Sequence, residues 1–140
     1  MSVDVALSES VSRLALFADF DPATTGELLE MLTEVSYSEG EWVVRRGQSD
    51  VGLHIIVDGE AGVVLESEEL ATLSKGSFFG EISALLGEPT VADVVARTPL
   101  RCLFLTDAEV EPFLLAHPRV MYRMLQQEAR RVRNTDELRL

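Results

Sequence analysis

Phe79-Gly80-Glu81-Ile82-Ser83-Ala84-Leu85-Leu86-Gly87-Glu88-Pro89-Thr90-Val91-Ala92-Asp93-Val94-Val95 is the run of residues on which the architecture turns. A strand end runs into a glycine and a carboxylate. A single helical turn of small and apolar residues follows, from Ile82 to Leu85. The Gly87-Glu88-Pro89 turn then leads into a second apolar strand.

Outward from this run, the period between residues 35 and 105 is that of strands. Strands are expected at Val35–Ser38, Trp42–Arg45, Leu53–Val57, Gly62–Glu66, Leu70–Leu73, Val91–Arg97 and Arg101–Leu105. Glycines punctuate them, and Asp58-Gly59 is a two-residue hairpin signal. Many short, closely spaced strands indicate an all-β sandwich or barrel.

Helices flank these strands. Upstream, Val11, Leu14, Ala15 and Leu16 mark a short helix over residues 8–17. A second begins at Asp21-Pro22, with Asp suited to the cap and Pro to the first helical position. Its apolar stripe is Leu28, Leu29, Met31, Leu32 and Val35. Gly26 weakens it by roughly 1 kcal/mol. Downstream, Thr106-x-x-Glu109 forms a capping box, and Pro112 is expected to kink or restart the helix. His117-Pro118 breaks it again. Residues 119–133 then set Val120, Met121, Met124, Leu125, Ala129 and Val132 on one side. Arg123, Arg130, Arg131 and Arg133 read as a solvated face, or as partners for acidic groups. The expected organisation is one domain over residues 1–140: helices at 8–34, a β-roll at 35–105 containing the 79–95 segment, and helices at 106–140.

Composition narrows the function. The chain has 140 residues, enough for a domain with its own core. Hydrophobic residues make up 46%, too many for a disordered chain. A net charge of −12 repels nucleic acid and anionic lipid, so neither is expected as a partner. No apolar run approaches the roughly 18 residues of a membrane span. Asp4 and Glu9 near the start, with no basic segment, do not read as a signal peptide. Cys102 is the only cysteine, which excludes an intrachain disulfide framework. A cytoplasmic location is expected. No nucleophile triad or phosphate loop appears. His54 and His117 are too few and too far apart for a metal-binding roll, so no enzyme activity, metal or cofactor is expected.

The segment 79–95 resembles the phosphate-binding cassette of the cyclic nucleotide-binding domain family, found in catabolite activator proteins and in regulatory subunits of cyclic-AMP-dependent kinase. The resemblance extends over residues 14–133. Leu16-Phe17 through Asp21-Pro22 is similar to the family's entry helices. Ser38-Glu39-Gly40-Glu41 with Arg45-Arg46-Gly47-Gln48 is similar to its first hairpin. Leu53-His54-Ile55-Ile56-Val57-Asp58-Gly59-Glu60 is similar to its central strand and turn, and the last helix to its hinge and C-helix. The implied fold is mainly β with flanking α: a jelly-roll-like antiparallel barrel with N-terminal helices and a C-terminal hinge and helix.

The resemblance also implies a ligand site for cAMP or cGMP at Gly80, Glu81, Ile82, Ser83, Thr90 and Val91. Gly80 would let backbone approach the sugar, or serve only the turn. Glu81 would accept from the ribose 2′-hydroxyl, or from backbone N–H groups of the segment itself. The N–H groups opening the Ile82–Leu85 turn would face the phosphate, and the Ser83 hydroxyl would add a donor. The family's phosphate-binding arginine follows the Gly-x-Pro turn directly, where this chain has Thr90, and Val91 comes next. Losing one side of such a charged pair costs about 2–5 kcal/mol, roughly 30- to 5,000-fold in affinity. Ser83 and Thr90 then read as helix and turn residues. Asp93 faces either solvent or the pocket. His54 and Cys102 read as core residues, Trp42 as a core or edge aromatic, and His117 as a helix boundary.

The expected function is a stand-alone regulatory module with weak or absent cAMP or cGMP binding that acts through protein partners. The alternative is a working cyclic-nucleotide sensor with a non-standard phosphate contact. With no effector domain before Leu140, signalling would pass through another chain. The residue 120–132 stripe offers a protein contact or a homodimer seam, or it packs back onto the roll.

Overall fold

The computed structural model describes residues 5–134. Residues 1–4 and 135–140, which belong to the domain expected from sequence, lie outside the described residues. The order is α1 (Val5–Ser12), a 3-10 turn (Ala15–Phe17), α2 (Pro22–Leu29), β1 (Thr33–Tyr37), β2 (Trp42–Val44), β3 (Leu53–Asp58), β4 (Ala61–Leu65) and β5 (Glu68–Leu73). There follow β6 (Phe78–Phe79), α3 (Glu81–Leu86), β7 (Asp93–Ala96), β8 (Leu100–Leu105), α4 (Asp107–Ala116) and α5 (Pro118–Arg133).

Two four-stranded antiparallel sheets carry the fold, in the orders β1-β8-β3-β6 and β2-β7-β4-β5. They face each other as a roll and do not close into the barrel expected from the sequence. The first sheet is the middle layer. Along β3, Leu53, Ile55 and Val57 point to a cluster shared with Leu16, Phe17, Leu28, Val110, Phe113, Val120 and Met124 of the helices. The alternate residue Ile56 points to the second sheet, among Val44, Phe79, Val94, Ala96, Leu100 and Cys102. Both faces of β3 are therefore covered, which explains its continuous apolar run.

Sheet pairing corrects the expected hairpins. Asp58-Gly59 joins β3 to β4, which lie in different sheets, because both edges of β3 are taken by β6 and β8. The Ser38–Glu41 turn likewise carries the chain from one sheet to the other, as does the link from β7 to β8. These corners are bonded together. Gly40 N donates to Ala96 O at 2.7 Å, Ala96 N to Glu41 O at 2.9 Å, and Arg97 N to Glu60 O at 2.9 Å. The tight hairpin is β4–β5, turning at Glu66-Ser67, where both residues have positive φ (52° and 67°).

The helices differ from expectation at their ends. Asp21 caps α2 through Thr24 N at 2.7 Å, with Pro22 next in line. The helix stops at Leu29, so Met31 is exposed and Val35 belongs to β1. The first helix is two pieces, because Leu14 is extended (ψ 145°) between them. The capping box at Thr106 forms, with Thr106 N donating to Glu109 Oε1 at 2.9 Å. Pro112 does not break α4. Ala108 and Pro112 are both exposed, so the carbonyl that loses its amide partner faces water. His117-Pro118 does separate α4 from α5. No helix of the described residues is long and apolar enough to cross a membrane.

Behind β6, His54 is 2% exposed and stacks on Phe79 with ring centroids 4.7 Å apart. The Tyr37 hydroxyl lies 2.8 Å from its Nε2, and the Gly52 carbonyl 3.3 Å from its Nδ1. A carbonyl only accepts, so Nδ1–H donates to Gly52 and Nε2 accepts from Tyr37. Burial pushes the imidazole down to about 4, which keeps it neutral.

Two glycines should respond oppositely to alanine. Gly52 has φ +82°, and a Cβ there would overlap the Phe104 ring and the Leu105 carbonyl. Gly26 lies in α2, and its Cβ would meet only Ser8 Oγ, at 3.8 Å. Urea denaturation of Gly52→Ala should show a loss of about 1–3 kcal/mol or more. Gly26→Ala should gain about 0.4–1 kcal/mol.

Candidate functional site

The Phe79–Val95 segment wraps one end of a cavity of about 300 Å³ between the two sheets and α5. Gly80, Glu81, Ile82, Ser83, Thr90 and Val91 all line it. The residues singled out from sequence are thus brought together. Val44, Val63, Ala71, Leu73 and Phe78 complete apolar walls.

Gly80 ends β6 in the left-handed region (φ +88°), and a Cβ there would strike the Gly52 carbonyl oxygen. Backbone packing between β3 and the segment therefore already demands glycine. Ile82 and Val91 form the rim, at 50% and 68% exposure. Ser83 is buried, and its hydroxyl donates to Glu88 O at 2.6 Å. That bond ties α3 to the turn after it, so the expected donor role is already taken within the segment.

Thr90 is held at the turn Arg45–Gln48. Its Oγ1 donates to Arg45 O at 2.8 Å and accepts from Gln48 N at 3.0 Å. Its backbone N donates to Gln48 O at 3.0 Å, and its carbonyl accepts from Gly47 N at 2.8 Å. Both capacities of the hydroxyl are in use. Asp93 faces the same turn and not the cavity: its Oδ1 accepts from Arg46 N at 2.6 Å. Arg97 and Arg101 lie away from the site, 2.7 Å from Glu69 and Glu34 respectively.

Glu81 is 3% exposed, and its partner comes from the last helix. Arg131 Nη1 donates to Glu81 Oε2 at 2.8 Å and to Glu128 Oε1 at 2.8 Å. Its Nη2 donates to Phe78 O at 2.7 Å, and the guanidinium sits 4.4 Å above the Phe78 ring. Arg131 is the one basic residue of the cavity wall among the described residues. Burial first, and the Glu128 carboxylate second, push Glu81 up to about 7, outweighing the pull of Arg131. The site holds a buried acid, Glu81, and a half-buried one, Glu128, served by one guanidinium.

Sequence reasoning did not single out Arg131. It stands in a run of arginines at a helix C-terminus, where cations complement the helix dipole and ordinarily face water. The apolar positions of α5 divide. Val120 and Met124 pack on the roll, while Met121, Leu125 and Val132 stay exposed.

The model of the cyclic nucleotide-binding domain family matches residues 34–117. Among solved structures, the N-terminal domain of a transcriptional regulator from Streptomyces coelicolor A3(2) is 26% identical, with 98% of this chain and 96% of that chain covered and a TM-score of 0.65. The catabolite activator protein of Thermus thermophilus is 25% identical, with 87% and 60% covered and a TM-score of 0.75. The regulatory subunit of a cAMP-independent protein kinase A from Trypanosoma brucei shares the fold at 22% identity and TM-score 0.74, with 89% and 45% covered. The chain therefore spans less than two thirds of the length of the last two.

Two buried titratable groups, Glu81 and His54, bias stability in opposite directions. Glu81 is raised from 4.5 to about 7, so its contribution is full below 4.5 and is lost as pH rises through about 7. His54 is lowered from 6.5 to about 4, so its contribution is full above 6.5 and is lost as pH falls through about 4. Thermal unfolding across this range should therefore separate two variants. Relative to wild type, Glu81→Gln should gain stability as pH rises from about 4.5 to 7. His54→Gln should lose stability relative to wild type as pH rises from about 4 to 6.5. Differences that stay constant with pH would refute both assignments.

Proposed function

The chain belongs to the cyclic nucleotide-binding domain family, and from that premise we propose that it is a regulatory module whose cassette binds cAMP or cGMP weakly or not at all and which acts through protein partners. The observation carrying this reading is Thr90. It occupies the position of the family's phosphate-binding arginine, and its hydroxyl is already committed to Arg45 O and Gln48 N. A cyclic phosphate entering the cavity would find no uncommitted cation there among the described residues, since Arg131 is bonded to Glu81, Glu128 and Phe78. Desolvating an anion without a charge-assisted partner is unfavourable. The exposed Met121, Leu125 and Val132 of α5 support a protein contact, with a partner or with a second copy of the chain.

One observation favours a second reading. Arg131 lines the cavity, so a ligand able to draw it away from the carboxylates would gain a non-standard phosphate contact.

Calorimetric titration with cAMP and cGMP separates the two. Wild type should show no saturable binding below about 1 mM. Thr90→Arg restores the guanidinium but breaks the bonds Thr90 makes to the Arg45–Gln48 turn. Its gain should therefore lie near the low end of the expected range, about 30-fold. Micromolar binding by wild type, abolished in Arg131→Ala, would establish the sensor reading instead.

A further inference from the structure

Acids outnumber bases 24 to 12 in this chain. Each cation thus has carboxylates in excess to choose from, and seven arginines between Arg45 and Arg131 lie within 4.0 Å of one. Arg13, Lys75, Arg130 and Arg133 make no ion pair among the described residues. The first three meet, with Arg131, around one open cleft of about 510 Å³. No carboxylate among the described residues stands in its wall.

Helix electrostatics accounts for only part of this. Cations in the last turn of α5 complement its dipole, which covers Arg130 and Arg131. Arg13 arrives from the chain just after α1, some hundred residues away in sequence. Lys75, the only lysine, is carried in by the turn that Ser77 N closes on Ser74 O at 2.9 Å. Three separate elements bring positive charge to one hollow, where the cations repel one another until an anion enters. Ser77 and Gln127 border the cleft with side chains that have no hydrogen-bond partner among the described residues, while Leu14 and Leu73 give it an apolar side.

We infer that this cleft is a binding site for an organic phosphate ester, with the phosphate held by Arg13, Lys75 and Arg130 and the organic part against Leu14 and Leu73. Charge number decides for phosphate over a single carboxylate. A phosphate monoester carries about −1.5 to −2 near neutral pH and offers three acceptor oxygens. Guanidinium groups match that geometry bidentately, and the Ser77 hydroxyl and Gln127 amide supply neutral donors. The volume suits a small molecule. The cleft is separate from the cassette cavity, although Leu73 and Arg131 border both. It stands whether or not the cassette binds a nucleotide.

The test is a backbone amide NMR titration of the whole chain at low salt, with phenyl phosphate and, separately, inorganic phosphate, to about 10 mM. Phenyl phosphate should give saturable shifts at Lys75, Gly76 and Ser77, with the amides of Thr90 and Val91 unmoved. Inorganic phosphate should shift the same amides and bind more weakly. The double variant Arg13→Ala/Lys75→Ala removes two exposed side chains without bonds and should fold as wild type. Its binding should weaken about tenfold. No saturable shift with either ligand, shifts confined to the cassette, or full affinity in the double variant would each overturn the site. Equal affinity for inorganic phosphate would overturn the ester assignment.

Discussion

A carboxylate buried to 3% exposure must be neutralised or paired, and Glu81 is both paired and pushed toward neutrality. Its partner sits 50 residues further on. Through it the terminal helix is tied to the segment that opens the cavity. Arg131 does more than pair: it also caps the Phe78 carbonyl at the end of the first sheet and covers the Phe78 ring. β6 is only two residues long and is held from two sides, by Arg131 over Phe78 and by His54 under Phe79. Its length gives few ladder bonds, so these side-chain contacts fix where Gly80 and Glu81 lie.

The same economy governs the roll. β3 and β8 are each flanked on both edges, and β4 and β5, which come directly after β3, pair in the other sheet. Three of the six crossings between sheets, at residues 38–41, 59–60 and 97–99, share backbone bonds across sequence distances of 37 to 56 residues (Glu60 to Arg97, Gly40 to Ala96). Clustering them leaves the opposite end of the roll to the cassette and the Arg45–Gln48 turn. Thr90 and Asp93 attach to that turn, so the exit of the cassette is as firmly placed as its entrance.

What could be read in the sequence was what depends on near neighbours. Asp21 and Thr106 cap helices through bonds to residues three along. The apolar run of β3 signals a strand covered on both faces. The six cassette positions fall on one cavity because they are close in the chain and the segment folds as a unit. Pairing partners were not legible. Asp58-Gly59 has the composition of a hairpin turn and serves as a corner, whereas the hairpin at Glu66-Ser67 lacks the usual glycine. Arg131 was hidden for a related reason. Spacing puts Arg131 on the helical face of Val120 and Met124, away from Arg130 and Arg133, but does not point to a carboxylate 50 residues earlier in the chain. The commitment of Thr90 was also hidden, because its partners Arg45 and Gln48 lie over 40 residues earlier.

The cavity's polar groups satisfy one another. Ser83 serves Glu88, Thr90 serves Arg45 and Gln48, and Arg131 serves Glu81, Glu128 and Phe78. What an entering molecule meets first is therefore apolar wall, and polar recognition requires exchanging an existing bond. Two exchanges are open. A hydroxyl donating to Glu81 competes with Arg131 and loosens the hold on α5. An anion drawing Arg131 inward leaves Glu81 beside Glu128, and the raised proton affinity of Glu81 lets it take up a proton and share it with that neighbour. Either exchange alters the contact between α5 and the cassette, and α5 carries the exposed Met121, Leu125 and Val132. Arg131 is thus the side chain through which an occupant of the cavity would reach α5 and that face.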